Sequence, residues 1–450
     1  MKNGAEGTKC LGQEMGFHGS DCERECLLFV SPLFSAFRFP LIVHFALCIV
    51  HFSEEISMTF NELKALDHQY MMQTYGRFDV AIERGEGATL YGFEGQQYTD
   101  FASGIGVASL GYGHPKWVKA VQEQAAKLAH TSNLFYTEPY IRLAQQLCER
   151  SGMAAAFFAN GGGEANEGII KLARKYSFDR YGRGRATIVT LRNSFHGRTI
   201  TTLNATGQDV FHNYFFPFTE GFRYAEANNL DSVKEQVGDD TCAVFLELIQ
   251  GEGGVLPMDK TFVKDLAAFC AEKDLLLLVD EVQTGIGRTG SLFCFQQYGI
   301  LPDAVTFAKG IAGGLPMAGV LCNEKCRNVL TPGTHATTFG GNPVAAAGAL
   351  AVLEVLDEAM LEQVNAKGAY LREQISGFGS EYVDTVRGMG LMVGIVLKDG
   401  VDRAALVKAC YDRNLLVLTA GPKTIRLLPP LVISQEEMGR GLAVLREVLV

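Results

Sequence analysis

The stretch Leu275–Gly285, LLLLVDEVQTG, decides how the middle of this sequence folds. A run of apolar residues that ends on Asp280 is typical of a buried strand of a parallel sheet. Ligands of open α/β sheets bind beyond the carboxyl ends of the strands, so Asp280 is a candidate for a buried carboxylate that contacts a ligand. A helix or turn cap is one alternative. A magnesium ligand of the Walker-B type is another, but the chain lacks the GxxxxGK[ST] loop that accompanies it.

A second apolar run downstream, Pro302–Gly310 (PDAVTFAKG), ends in Lys309, 29 positions after Asp280 (309 − 280). A lysine that is partly removed from water has a depressed pKa and attacks aldehydes. A single lysine at a strand end is more often a solvated surface residue. Lys309 therefore gains significance only from what surrounds it.

Upstream, the segment Ala159–Glu167 (ANGGGEANE) places three glycines between a predicted strand and a predicted helix. Glycine lets the backbone approach a ligand closely, and the N-terminus of a helix offers free N–H groups and a positive dipole end. This junction suits a phosphate, although turns of this kind are as often purely structural. Together with Asp280, which could keep a pyridinium nitrogen protonated, and Lys309, it indicates a phosphorylated aromatic aldehyde as cofactor.

The order of elements predicts an α/β fold with a mostly parallel sheet, because short apolar runs alternate with stretches of helical periodicity. The predicted strands of this sheet are Ala154–Ala159, Ala186–Leu191, Cys242–Leu248, Leu275–Asp280, Ala304–Phe307 and Ala318–Cys322. A smaller C-terminal α/β domain is predicted from helices Met360–Ser376, Arg403–Asn414 and Gln435–Val450 and strands Leu391–Leu397 and Ile425–Leu428. The predicted segments are an N-terminal extension (1–57), the N-terminal part of the small domain (58–110), the large cofactor-binding domain (111–345) and the C-terminal small domain (346–450).

Composition narrows the class of protein. The chain has 450 residues with 50 acidic against 40 basic side chains, and no Lys/Arg-rich block, so nucleic acid is not expected as a partner. The 11 cysteines show no paired spacing, which predicts reduced thiols in the cytoplasm and no metal site. Residues 1–57 contain an apolar aromatic stretch, but its acidic flank and its interruptions do not fit a signal or a membrane span. We expect these residues to be an upstream extension of a domain that begins at Met58.

From about Met58 to Val450 the sequence resembles the class III (subgroup II) aminotransferases, which depend on pyridoxal 5'-phosphate. The resemblance is carried by TYGRFDVAIERGEG, LGYGHP, FFANGGGEANEGIIKLARKYS, NSFHGRT, QGEGG, LLLVDEVQTGIGRTG, FAKGIAGGLPMAG and THATTFGGNPVAAA. It implies fold type I, with a seven-stranded, mostly parallel sheet in the large domain, and a homodimer with shared active sites. It also implies an enzyme that transfers amino groups between small molecules.

The resemblance also implies roles for individual residues. Lys309 is expected to hold the cofactor covalently and then to carry a proton, and Asp280 to pair with the ring nitrogen. The other expected cofactor contacts are Gly162, Gly163, Phe195, Glu281, Val282, Gln283 and, from the partner subunit, Thr338. Substrate contacts are expected from Arg198, Thr337, Arg426 and Tyr75, with Glu247 as the carboxylate that pairs with Arg426 when a diamine is bound. In this expectation Glu252 is structural.

The NSFHGRT and TYGR stretches favour an acylated ornithine as the amino donor. The implied reaction is transfer of the δ-amino group of N-acetylornithine to 2-oxoglutarate, a step of arginine biosynthesis. Succinylornithine, ornithine, 4-aminobutyrate or lysine as donors, a 2,1-aminomutase and a non-catalytic homologue remain alternatives. Two departures from the family pattern stand out. Gly161–Gly163 replaces Ser-Gly-Ala or Ser-Gly-Thr, which predicts weaker cofactor retention, and Leu248 replaces a proline, which predicts that Glu247 is held less firmly.

Overall fold

The structure is a computed structural model that describes residues 58–450, so the predicted extension 1–57 lies outside the described residues. The described chain falls into two units. The first ends at Gly76 and contains the helix Phe60–Tyr70, whose N-terminus is closed by a reciprocal capping box between Thr59 and Glu62. The second unit runs from Arg77 to Val450.

A seven-stranded mixed sheet forms the centre of the second unit. Its strand order is β4-β12-β11-β10-β7-β5-β6, and β12 is the one strand of this sheet that runs antiparallel to its neighbours. The predicted α/β fold with a mostly parallel sheet is thereby confirmed. Its strands are β4 (Ala155–Ala159), β5 (Thr187–Leu191), β6 (Phe222–Ala225), β7 (Thr241–Glu247), β10 (Leu276–Asp280), β11 (Ala304–Phe307) and β12 (Ala318–Cys322).

Three smaller sheets complete the described strands. β1, β2 and β3 near the start of the unit pair with the C-terminal strand β15, whereas β13, β14, β17 and β16 form an antiparallel sheet, and β8 pairs with β9. Their bounds are β1 Ile82–Glu86, β2 Thr89–Gly92, β3 Gln97–Asp100, β8 Ile249–Gln250, β9 Leu256–Pro257, β13 Val383–Met389, β14 Met392–Leu397, β15 Leu415–Leu416, β16 Leu418–Ala420 and β17 Thr424–Leu427.

Helices cover the sheets on the sides that the strands leave apolar. The longer ones in this unit are Pro115–Lys127, Glu138–Ser151, Gly162–Tyr181, Lys260–Glu272, Pro343–Val355, Glu358–Ser376, Arg403–Asp412 and Gln435–Leu449, and the shorter ones are Ile200–Ala205, Leu230–Gln236 and Phe295–Tyr298. Most of these helices begin at a side chain that caps their first N–H groups, such as Asp259, Asn342 and Ser434. The helix Gly162–Tyr181 has no such cap.

Buried polar side chains are concentrated where the central strands end. β7 and β10 are buried along their whole length, and each ends in a carboxylate, Glu247 and Asp280. The two residues face each other in the parallel register. Because burial of a charge is costly unless it is paired or hydrogen-bonded, this edge of the sheet must supply partners for both groups.

Candidate active site

The carboxyl ends of β4, β5, β7, β10 and β11 lie at one edge of the sheet and open into a cavity of about 670 Å³. The segments that follow these strands supply most of its wall. This is the edge at which ligands of open α/β sheets bind. Three sequence-predicted groups, the glycine run, Asp280 and Lys309, meet at this cavity.

The glycine run forms the turn between β4 and the helix Gly162–Tyr181. A Cβ on Gly162 would lie 2.8 Å from Val282 Cγ1, so only glycine allows this approach, whereas Gly161 and Gly163 have room for a side chain. Among the described residues, no side chain caps the first turn of this helix, and the glycines at its start line the cavity. Such a terminus is a ready-made anion site.

Asp280 is almost fully buried, and hydrogen bonds to both of its oxygens fix the orientation of the carboxylate. Its Oδ2 accepts from Asn166 Nδ2 at 2.7 Å and contacts His196 Nδ1 at 2.9 Å, and its Oδ1 accepts from the Val282 amide at 2.9 Å. The His196 ring stacks on Phe245 at 4.1 Å between centroids, which fixes the ring plane. A carboxylate held in this way offers a fixed negative charge to a protonated ring nitrogen.

Lys309 begins a short 3-10 turn and has a positive φ of 45°, an uncommon conformation for a residue with a side chain. Burial lowers the pKa of its ammonium group, although the charges of Asp280 and Glu252 partly offset that effect. The next residue is held in place because Ser109 Oγ donates to Gly310 O at 2.7 Å. Lys309 thus lines the cavity with an amine whose lowered pKa favours the neutral, nucleophilic form.

Phe195 and Val282 also line the cavity, and their expected positions on the two faces of the cofactor ring stay a prediction. Glu281 does not line the cavity, so the structure gives no support to its expected cofactor contact. Its carboxylate is fully buried elsewhere and accepts from the amides of Cys294 at 2.6 Å and Phe295 at 2.7 Å. Burial raises the pKa of Glu281 to about 7. Glu281 therefore organises the loop before the helix Phe295–Tyr298.

Arg426 on β17 is nearly fully buried and pairs with Glu252, with 2.6 Å between its Nη1 and Glu252 Oε1. The structure therefore places Glu252, and not Glu247, against Arg426, so Glu252 is more than structural. The expected pairing of Glu247 with Arg426 when a diamine is bound stays a prediction. Gln283 joins Arg426 and Glu252, because its Oε1 accepts from Arg426 at 2.9 Å and its Nε2 donates to Glu252 at 3.3 Å. Although burial alone would raise the pKa of Glu252, the Arg426 charge and hydrogen bond lower it overall.

Glu247 lies at the cavity wall but binds backbone groups instead. Its Oε2 accepts from the Phe195 amide at 2.9 Å, and its Oε1 accepts from the Gly251 amide at 3.3 Å. The following residue, Leu248, is fully buried, and its carbonyl accepts from Met258 N and Tyr298 Oη. The looser hold on Glu247 expected from the missing proline stays a prediction.

The remaining predicted residues lie at the margin of the cavity or away from it. Arg198 is exposed, lines the cavity and stacks over Phe211 at 4.4 Å. Thr337 is half-buried and its Oγ1 accepts from Asn160 Nδ2 at 3.3 Å, whereas Thr338 is exposed and does not line the cavity of its own chain. Tyr75 is an exposed residue of the first unit, so its expected role stays a prediction.

The sequence did not reveal the roles of Asn166 and His196 or the pairing of Glu252 with Arg426. Asn166 lies in ANGGGEANE, about one helical turn after Gly163, and His196 lies in NSFHGRT, directly after Phe195. A buried strand-end carboxylate requires hydrogen-bond donors, and a search for donors near Asp280 could have found them.

The observed groups fit pyridoxal 5'-phosphate. The uncapped helix terminus at Gly162 suits the phosphate, the doubly held Asp280 suits the ring nitrogen, and Lys309 suits the aldehyde. On this sheet, the arrangement defines a pyridoxal-phosphate-dependent enzyme of fold type I. The sequence profile described as Aminotransferase class-III matches residues 70–449, and the chain belongs to that family. The predicted enzyme class and cofactor are confirmed.

Individual relatives agree with this assignment. The chain is 49% identical to the acetylornithine aminotransferase of Haemophilus ducreyi over 87% of its own length and 99% of the relative's. The crystal structure of N-acetylornithine aminotransferase from Stenotrophomonas maltophilia is 36% identical, has a TM-score of 0.74, and covers 85% of this chain and 97% of that one. Ornithine aminotransferase from Toxoplasma gondii, described with partial occupancy of PLP at its active site, is 31% identical with a TM-score of 0.84, covering 87% and 94%.

Proposed function

We propose that this aminotransferase moves the δ-amino group of N-acetylornithine to 2-oxoglutarate, which yields glutamate and the acetylated semialdehyde. Support comes from the acetylornithine aminotransferases that are 40–49% identical along nearly their whole length. The observation that carries the proposal is the Arg426–Glu252 pair, a cation that a substrate carboxylate can take from its partner and that is joined to the cavity wall through Gln283. Arg198 supplies a second guanidinium group at the cavity wall.

The cofactor side of the cavity would hold pyridoxal phosphate through residues at three strand ends. The amides of Gly162 and Gly163 would bind the phosphate, Phe195 and Val282 would pack on the two faces of the ring, and Asp280 would pair with the ring nitrogen. When bound, pyridoxal phosphate supplies an electron sink that stabilises negative charge on the substrate carbon. Gln283, which lines the cavity, would hydrogen-bond the phenolic oxygen of the ring.

Lys309 has two tasks in this proposal, covalent attachment of the cofactor and proton transfer. The lowered pKa of Lys309 favours the neutral amine, which is the form that attacks an aldehyde and accepts a proton. With the cofactor and the amino donor bound, Lys309 Nζ would accept the proton from the substrate carbon that bears the amine. The protonated Nζ would then serve as the acid that gives this proton back.

The substrate side distinguishes the two half-reactions by charge. N-acetylornithine presents one carboxylate, which Arg198 binds, while Arg426 stays paired with Glu252. 2-oxoglutarate presents two carboxylates, and the second takes Arg426 from Glu252. Because a guanidinium can bind both oxygens of a carboxylate, this exchange replaces one charge-assisted pair by another. Thr337 contacts the substrate in this proposal, and the role of Tyr75 stays a prediction.

We further propose a homodimer in which Thr338 contributes to the phosphate site of the partner subunit. Its exposure supports this, as do the exposed side chains of Leu134, Phe135, Tyr136 and Phe339. The proposed small domain combines residues 58–110 with 346–450, which is supported by the pairing of β15 with β3. We also propose a cytoplasmic location, in keeping with the free cysteines of residues 58–450. Within the same range, no helix is long and apolar enough to cross a membrane.

The experiment that tests the substrate is a comparison of kcat/KM for N-acetylornithine, succinylornithine, ornithine and 4-aminobutyrate with 2-oxoglutarate as acceptor. We expect N-acetylornithine to be preferred over ornithine by at least about tenfold, since the extra carbonyl and methyl groups add contacts worth 1–3 kcal/mol. Ornithine is the second candidate, because the ornithine aminotransferase of Toxoplasma gondii superposes with the higher TM-score. Preference for free ornithine would overturn the proposal.

A further inference from the structure

Glu247 is a buried titratable group at the cavity wall for which the proposed function has no task once Glu252 pairs with Arg426. Only 5% of its surface is exposed. It also faces Asp280 across the β7–β10 register, so two carboxylates lie side by side. Burial and the charge of Asp280 raise the pKa of Glu247 well above its ordinary value, and the two amide hydrogen bonds only partly oppose this. Because burial of a carboxylate destabilises the fold, we expect Glu247 to have a role that offsets this cost.

The two bonds of Glu247 join two separate segments of the site. Its Oε2 binds the amide of Phe195, three residues before Arg198, and its Oε1 binds the amide of Gly251, directly before Glu252. The first segment therefore carries one face of the ring site and the exposed arginine. The second carries the carboxylate that pairs with Arg426.

The two segments approach closely beside these bonds. A Cβ on Gly253, next to Glu252, would lie 2.5 Å from the carbonyl oxygen of Asn193, two residues before Phe195. At the outer end, Gln250 Nε2 donates to Arg192 O at 2.7 Å. At the end that faces the cavity, the Glu247 carboxylate joins the same two segments, because it accepts from an amide of each.

We propose that Glu247 is a positioning residue that ties the Phe195–Arg198 segment to the Gly251–Glu252 turn and thereby sets the distance between the two guanidinium groups that receive a dicarboxylate. The inference rests on the proposed function, in which Arg198 and Arg426 bind the two ends of 2-oxoglutarate. Glu247 therefore selects for the length of the acceptor without touching it. The acceptor of the proposed function, 2-oxoglutarate, is a five-carbon dicarboxylate.

The first test replaces one carboxylate oxygen of Glu247 by an amide nitrogen, which cannot accept a hydrogen bond. In Glu247→Gln the amide oxygen keeps the shorter bond to Phe195, while the amide nitrogen faces the Gly251 N–H, so the second bond is lost. We expect the Kd of glutarate, a non-reacting five-carbon dicarboxylate, to rise about tenfold for the cofactor-loaded protein, the loss typical of one buried hydrogen bond. The Kd of pyridoxal phosphate should change less than about threefold, because the Phe195 side is kept.

A second variant, Glu247→Asp, keeps both acceptors but withdraws them by one methylene group. It should weaken the binding of glutarate and of pyridoxal phosphate together, because both segments must follow the shorter side chain. Calorimetry gives the first Kd. Fluorescence of Trp117, the single tryptophan, gives the second, since its Nε1 donates to Ala312 O in the turn that Lys309 begins.

Glu281→Gln is the matched control. Glu281 is also buried beside Asp280 and also accepts from two backbone amides, but it does not line the cavity. We expect this variant to lower Tm without a selective rise in the Kd of glutarate. If both Glu247 variants lower Tm as Glu281→Gln does and keep the Kd of glutarate within about twofold of wild type, the proposed spacing role is wrong.

Failure of both Glu247 variants to fold, while Glu281→Gln folds, would also overturn the inference, because Glu247 would then be required for the fold itself. The proposed function fails separately. A wild-type protein that binds glutarate but does not accept N-acetylornithine contradicts the substrate assignment and leaves the glutarate comparison intact.

Discussion

The cofactor side of the cavity uses groups that directly follow three strands, Gly162 after β4, Asp280 at the end of β10 and Lys309 after β11. The substrate side draws instead on side chains from separate sheets and loops, such as Arg198, Glu252 and Arg426. Strand ends are fixed by the backbone of the sheet, whereas a side-chain pair between sheets depends on the packing of loops. Strand-end sites can therefore be predicted from a short sequence motif, whereas side-chain pairs between sheets can be found only in the structure.

The largest expected effect is on the cofactor side, from Lys309→Ala. We expect kcat to fall by at least about a thousandfold, because the variant loses both the covalent anchor and the group that transfers the proton. The visible absorbance of the bound cofactor should change as well. Steady-state rates and the absorbance spectrum check this prediction, and a variant with more than a tenth of the wild-type rate would contradict it.

The neighbouring carboxylates Asp280 and Glu281 sharpen the comparison, because only the first faces the cavity. The pKa of Glu281 is raised from 4.5 to about 7, so the folded protein keeps a proton that the unfolded chain has lost. The retained proton contributes roughly 3 kcal/mol to the free energy of unfolding. This stabilisation is fully present below about pH 4.5 and is lost as the pH rises through about 7.

Glu281→Gln removes that dependence. From pH 5 to pH 8 the Tm of the variant should therefore rise relative to wild type by several degrees, as thermal unfolding of both proteins at each pH would measure. Parallel pH dependences in the two proteins would show that Glu281 does not titrate in this range.

On the substrate side, Arg426→Ala tests the switchable cation. We expect the KM for 2-oxoglutarate to rise about thirtyfold, as for loss of a charge-assisted pair, and the KM for the amino donor to change less than about threefold. Arg198→Ala is the companion variant, and it should raise both KM values because both substrates present a carboxylate to Arg198. Equal effects of Arg426→Ala on the two substrates would contradict the switch.

The smallest expected effects concern the three glycines. Gly161→Ser can cap the helix Gly162–Tyr181, and Gly161 and Gly163 have room for a side chain, so Gly161→Ser with Gly163→Ala should improve pyridoxal-phosphate binding by about 0.5–1 kcal/mol per position. Gly162→Ala is the matched control and should weaken binding, because its Cβ would meet Val282 at 2.8 Å. No gain in affinity from the double variant would show that the triple glycine does not limit cofactor retention.

Much of the fold and of the cofactor side could be predicted from the sequence, for physical reasons. All six predicted strands of the central sheet are present within about two residues, because buried parallel strands form continuous apolar runs that differ from their surroundings. The sheet formed by β1, β2, β3 and β15 was not predicted. Its strands have only two to five residues each and β1 is mostly exposed, so the sequence pattern of each strand is too short to recognise.

The carboxylates whose contacts differ from the expected ones share one feature. Glu247 and Glu281 both end or follow buried strands, as Asp280 does, and the sequence does not reveal which carboxylate turns toward backbone amides. Glu252 lies in a glycine-rich turn without periodic structure, yet the fold brings it to Arg426, 174 residues later (426 − 252). Such a pair depends on how the loop packs against β17, and no local pattern encodes it.

The central claim is tested most directly by the absorbance spectrum of the purified, pyridoxal-phosphate-loaded protein during one half-reaction. The account predicts that N-acetylornithine added alone removes the visible band of the resting enzyme within the turnover time, that 2-oxoglutarate then restores it, and that Lys309→Ala shows neither change. A protein that takes up no pyridoxal phosphate, or a band that N-acetylornithine leaves unchanged while free ornithine removes it, would contradict the account.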